Sequence, residues 1–84
     1  MSGADNLLNR VDKLAKGIKA DRQGLYEDQW IWMSLDSLLY AAIYKAERAR
    51  LTQDLGKKLD DILDAINYLR FSAAKLLSLL RSQP

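Results

Sequence analysis

Residues 59–81, LDDILDAINYLRFSAAKLLSLLR, carry the longest unbroken periodic pattern in the chain. Leu59, Ile62, Ile66, Leu69, Ala73, Leu76 and Leu80 alternate at spacings of three and four. That spacing lines one edge of an α-helix and is the heptad repeat of bundles and antiparallel coiled coils. It predicts a helix from about Lys57 to Arg81, with Leu63, Ala74 and Leu77 widening its apolar face.

Working back from that helix, Leu51-Thr-Gln-Asp-Leu-Gly56 reads as a turn, with Thr52 or Asp54 as the cap of the helix after it. Before it, Leu35, Leu38, Leu39, Ala42, Ile43 and Ala46 form the main face of a helix predicted over 31–51. Met33, Tyr40, Tyr44 and Leu51 make a second stripe about 150° away on the same helix. Trp30 and Trp32 sit at its start. At the N-terminus, Ser2 or Asp5 can cap a helix whose face is Leu7, Val11, Leu14 and Ile18. Gly17 and Gly24 bracket the stretch where it should end. The only proline is Pro84, and no strand pattern interrupts the helical ones.

The prediction is an all-α fold: one domain over 1–84, a three-helix antiparallel bundle made of an N-terminal helix and a long helical hairpin. Two helices carry more apolar surface than a hairpin covers, and large exposed apolar patches are uncommon on small monomers. A dimer or tetramer is therefore expected, with Met33, Tyr40, Tyr44 and Leu51 in the oligomer interface.

A chain of 84 residues is near the size below which a core needs help, and Cys is 0. Disulfides are excluded, and with no leader read at the start, a cytoplasmic protein is expected. His is 0 as well, which excludes histidine acid–base chemistry, the Ser-His-Asp triad and most zinc sites. A metal would have to be a hard cation such as Mg²⁺, held by carboxylates. No membrane span is expected, because Ser34, Asp36 and Ser37 interrupt the most apolar run.

The polar residues within the pattern carry the chemistry. Asp60, Asp61 and Asp64 crowd the third helix, with Asn67 one turn further on. Like charges at this spacing repel. Either the helix N-terminus compensates them, or a divalent cation or a basic neighbour does. Lys45, Arg48, Arg50, Lys57 and Lys58 surround the turn between the second and third helices, opposed only by Glu47 and Asp54. Such a patch can bind phosphate or single-stranded nucleic acid, with Trp30 and Trp32 available to stack on bases. Arg70 projects into the apolar arc of the third helix, where it should pair with Asp36 or Glu47 across the bundle or snorkel to water.

The stretch Tyr26-Glu-Asp-Gln-Trp30 resembles the Tyr-Gly-Asp-Ser-Trp segment of small phage and prophage proteins called nucleotide-modification-associated domains. Lys45 and Arg48, then Asp60-Asp-Ile-Leu-Asp-Ala-Ile-Asn-Tyr68, come in the order those domains show, so the resemblance spans roughly 19–80. These domains are similar in turn to the all-α NTP pyrophosphatases of the MazG and dimeric-dUTPase group. That group holds Mg²⁺ through Glu-x-x-Glu on one helix and Glu-x-x-Asp on the next. The resemblance implies a metal set of Glu47, Asp61 and Asp64, aided by Asp60. Tyr44 stands where the first acid belongs, and Glu27 where the glycine belongs. A phenol is a poor Mg²⁺ ligand, and nucleotide hydrolysis needs several carboxylates to hold metal against phosphate. The sequence thus points to a non-catalytic helical binding protein that contacts single-stranded nucleic acid or a protein partner. A Mg²⁺-dependent nucleoside triphosphate pyrophosphatase is the alternative.

Overall fold

The computed structural model describes residues 3–21 and 29–82, with side chains over 3–17 and 31–82. Four helices account for almost all of them: α1 (Gly3–Asp21), the single turn α2 (Gln29–Trp32), α3 (Leu35–Leu51) and α4 (Leu55–Arg81). The three long helices make the expected all-α bundle, with α3 and α4 as its hairpin.

The hairpin is defined at both ends by side-chain caps. Ser34, in extended conformation, accepts a hydrogen bond from the Ser37 amide at 3.1 Å and starts α3. This cap breaks the helix that the sequence predicts as continuous over 31–51, leaving α2 as a separate turn. At the other end Thr52 closes α3, its amide and hydroxyl both donating to the Arg48 carbonyl. Asp54 then caps α4 by accepting from the Lys57 amide at 3.0 Å. The last carbonyls of α3 gain a cation, because Lys58 Nζ donates to the Ala49 carbonyl at 2.6 Å. Positive charge at a helix C-terminus is favoured by the helix dipole. At the N-terminal end, α1 runs through Gly17 to Asp21. Ser2, Gly24 and Tyr26–Asp28 lie outside the described residues.

Both α1 and α2 pack chiefly against α4, which is the central helix. One side of α4 faces α3, where Phe71 meets Leu38, with Met33 and Tyr68 packed around them. Tyr68 and Phe71 stack edge to face at 6.4 Å. Met33, expected in an exposed stripe, thus belongs to the core. The Ser34 cap turns the chain so that Met33 falls outside α3 and inward. A second side of α4 faces α1 through Asn67, whose amide Nδ2 donates to the Ala15 carbonyl at 3.0 Å. Lys75 ties down α2 by donating to the Ile31 carbonyl at 3.1 Å.

Most of the heptad face of α4 lies outside both contacts, with Ile66 half-buried at its border with α3. Leu59, Ile62, Leu69, Leu76 and Leu80 are all exposed. The same holds for Leu39 and Ile43 on α3 and for Leu7 and Leu14 on α1. The buried face of α4 is instead the polar flank of the heptad: Asp61, Leu63, Asp64, Ala65, Asn67, Phe71 and Ser72.

Asn67 is fully buried and is the polar pin between α4 and α1. Replacing it by leucine should cost about 1–2 kcal/mol, because the Ala15 carbonyl loses a partner in a site water does not reach. Urea unfolding checks this. A loss below about 0.3 kcal/mol, within the range of an ordinary surface change, would mean that α1 is held by apolar contact alone.

Candidate functional site

The caps of the hairpin fix its register, and the register builds the one densely charged site among the described residues. Leu38 faces Phe71, Lys45 faces Asp64, and Arg48 faces Asp61. These pairs advance along α3 as they retreat along α4 by equal steps, as in any antiparallel pair. The i,i+3 spacing of the two cations therefore matches the i,i+3 spacing of the two acids.

Lys45 Nζ lies 3.2 Å from Asp64 Oδ2 and 3.9 Å from Asp61 Oδ1. Arg48 Nε lies 3.3 Å from Asp61 Oδ2. The carboxylates are the buried members, with side-chain exposures of 7% for Asp61 and 5% for Asp64. The cations reach in from the rim, Lys45 at 23% and Arg48 at 54%. A buried carboxylate is tolerated when it is paired and hydrogen-bonded. No buried side-chain nitrogen or oxygen among the described residues lacks a hydrogen-bond partner. The two acids, two cations, Lys57 and Asp60 line an open cleft of about 260 Å³.

This geometry resolves the alternatives for the acidic turn. Helix α4 begins at Leu55, so Asp60 and Asp61 lie beyond its first turn, which holds no acid. Dipole compensation is therefore not their support, and for Asp61 basic neighbours are. Of the four residues expected to hold metal, Asp61 and Asp64 come together, and Asp60 stands exposed at the same cleft. Glu47 does not join them. It points outward and accepts two hydrogen bonds from Arg50 one turn on. Those bonds, then the guanidinium charge, hold the Glu47 carboxyl below its ordinary range. No group of three His, Cys, Asp or Glu side chains converges as a ligand set among the described residues. A cation entering at Asp61 and Asp64 would have to displace Lys45 and Arg48. The residues present do not fit the Mg²⁺ site that the resemblance implies.

The basic patch is likewise turned to internal use. Lys45 and Arg48 serve the buried acids, Arg50 serves Glu47, and Lys58 caps α3. Lys57 lines the cleft. Arg70 does not cross the bundle to Asp36 or Glu47. Its guanidinium donates to Asn67 Oδ1 at 3.3 Å on its own helix, because α4 presents it to solvent beside the α1 contact. The side chain of Trp30 lies outside those described. Trp32 is 82% exposed but is not part of the charged cleft. Tyr40, Tyr44 and Leu51 are exposed, with Tyr44 and Leu51 lining a shallow apolar depression beside Glu47 and Arg48.

Two polar contacts escaped the sequence reading. Lys75 holding α2 and Asn67 holding α1 both reach backbone carbonyls of distant segments. A lone asparagine in an apolar arc is a visible signal, but a backbone acceptor leaves no mark in sequence. Among the described residues no helix is long and apolar enough to cross a membrane. The chain matches no protein-family model, no curated protein and no solved structure.

Proposed function

We propose that this chain is a non-catalytic helical binding protein that acts through contact with protein. In this reading it keeps the bundle of the pyrophosphatase-like domains it resembles, while its acidic cleft has become a structural ion cluster. The observation that carries the reading is the position of Lys45 and Arg48, at 3.2 and 3.3 Å from Asp64 and Asp61. They pair with the two carboxylates a metal would need, and metal bridging is what positions phosphates for hydrolysis.

Protein is favoured over nucleic acid because four of the five patch cations are engaged within the chain. Meanwhile apolar side chains stand exposed along every long helix. Phosphate binding needs cations able to release counterions, whereas helix association needs apolar faces.

The test is phosphate release from a panel of NTPs and dNTPs with Mg²⁺ or Mn²⁺, beside single-stranded DNA binding at two salt concentrations. Hydrolysis is expected to fall at least ~10³-fold below an ordinary enzyme rate of ~1 s⁻¹. DNA binding should be absent at moderate salt. Turnover near ~1 s⁻¹ would restore the pyrophosphatase reading. Tight DNA binding that falls steeply with salt would restore the nucleic-acid one.

A further inference from the structure

Helix α4 has three faces, and the described residues cover two. The α3 side is filled by Phe71 and the ion pairs, and the α1 side by Asn67. The third face, Leu59, Ile62, Ile66, Leu69, Leu76 and Leu80, keeps strict heptad spacing along almost the whole 27-residue helix. No charged residue occupies a seam position. A contiguous exposed apolar stripe of this length marks an interaction surface.

We propose that this seam is covered by the same seam of a second copy, so that two α3–α4 hairpins form a common core in an isologous dimer. The inference deepens the binding reading above by naming the protein partner. Three observations select a second copy as the occupant.

The first is area. The chain exposes 6403 Å², whereas a folded monomer of 9.6 kDa exposes about 5,100 Å². The surplus of about 1,300 Å² is one protomer's share of an obligate homodimer interface, which buries about 2,000–5,000 Å² in total. The second is shape. The radius of gyration is 14.2 Å, against about 12 Å for a compact domain of this length. Half of a shared core has that extended form.

The third is complementarity of the face to itself. Where the seam borders α3, a mostly apolar groove is lined by Ala46, Ala49 and Ala65 together with the larger seam residues Ile62, Ile66 and Leu69, and by Arg50 and Lys58. The face therefore carries both sockets and the side chains to fill them. Knobs-into-holes packing needs both, and a two-fold interface needs both on one surface.

The absence of cysteine gives a direct test in the intact chain. Ile62→Cys, Leu69→Cys and Leu76→Cys are compared with Tyr40→Cys, which lies on the other exposed stripe. Mass by light scattering is read at ~100 μM, where low-micromolar association is saturated. The expected mass is about twice 9.6 kDa, with at least one seam cysteine cross-linking under mild oxidation much faster than Tyr40→Cys. All three seam positions react in a parallel pair, and chiefly those near the two-fold axis in an antiparallel one.

Leu69→Lys should weaken association about 100-fold or more, because a lysine would be buried without a partner. It should keep its helical circular dichroism at high concentration. Should Leu69→Lys fail to fold, the cysteine variants decide alone. A monomer at ~100 μM, or cross-linking confined to Tyr40→Cys, would overturn the proposal. Such a result would leave the binding reading standing with a different partner, whereas nucleotide turnover would remove that reading and leave the dimer untouched.

Discussion

Replacing Lys45 by methionine should cost the fold about 3 kcal/mol, the low end of the range for breaking a buried ion pair from one side. The low end applies because Lys45 is partly exposed and because Arg48 continues to serve Asp61. Asp64 would remain almost fully buried after losing its 3.2 Å cation. Its charge would then lie in a medium that solvates it poorly. Methionine keeps the length of the lysine stem, so the effect reports the charge rather than a cavity. Denaturant unfolding of Lys45→Met should show a lower midpoint with an unchanged slope.

The double variant Lys45→Met/Asp64→Leu distinguishes a structural cluster from a site kept for chemistry. Apolar residues of similar volume commonly replace a buried ion pair with little loss. The double variant should therefore recover most of what the single variant loses, giving a coupling energy of roughly 2 kcal/mol between the two positions. If Lys45→Met instead left stability unchanged while Mg²⁺ raised the melting temperature, the cation would be a removable occupant of a metal site. The non-catalytic reading would then fail.

What sequence reveals about this site divides along a physical line. In the sequence Asp64 stands out as too deep for the helix dipole, whereas Asp61 reads equally well as a first-turn acid, and the need for a compensating cation comes from repulsion alone. The identity of the cation does not. Lys45 and Arg48 reach these acids because the Ser34, Thr52 and Asp54 caps set the hairpin register, and a shift by one residue would turn them away. Ser34 itself is readable as a cap, but the apolar run around it looks continuous, so the break between α2 and α3 is hidden. The fold class is legible because three helical periodicities separated by a turn and a glycine-bearing stretch leave few alternatives.

The heptad of α4 shows where periodicity stops informing. The pattern correctly marks one apolar edge of the helix, yet it says nothing of which neighbour that edge meets. Within the chain the inward edge is the polar flank, because hydrogen-bonded Asn67 and paired Asp61 and Asp64 are acceptable core residues. The position of Arg70 has the same origin. Once the flank turns inward, a residue counted inside the apolar arc comes to lie at the surface beside Asn67.

The second large effect is expected at Phe71. The described core holds seven buried apolar residues, and four of them, Ala15, Ala42, Ala49 and Ala65, have side chains of one carbon. Leu38, Leu63 and Phe71 are the remainder, and Phe71 is the only buried aromatic among the described residues. Truncating a buried phenylalanine to alanine typically costs about 3–5 kcal/mol, combining lost transfer energy with a residual cavity. Tyr68 and Met33 border the site and can relax into part of the space, which places Phe71→Ala near about 3–4 kcal/mol. A small domain rarely gains more than about 3–5 kcal/mol from a single core. Phe71→Ala should therefore leave a separate protomer mostly unfolded. If two copies share the α4 seam, folding is linked to association and its midpoint rises with protein concentration. The expected result is a variant that is disordered by circular dichroism at ~1 μM and regains helix at ~100 μM, while the unsubstituted chain shifts its melting temperature in the same direction by less. A Phe71→Ala protein that stays fully helical at ~1 μM would show that Leu38 and the surrounding alanines suffice without it. The ring's packing against Leu38 and Tyr68 would then contribute little to holding α3 on α4.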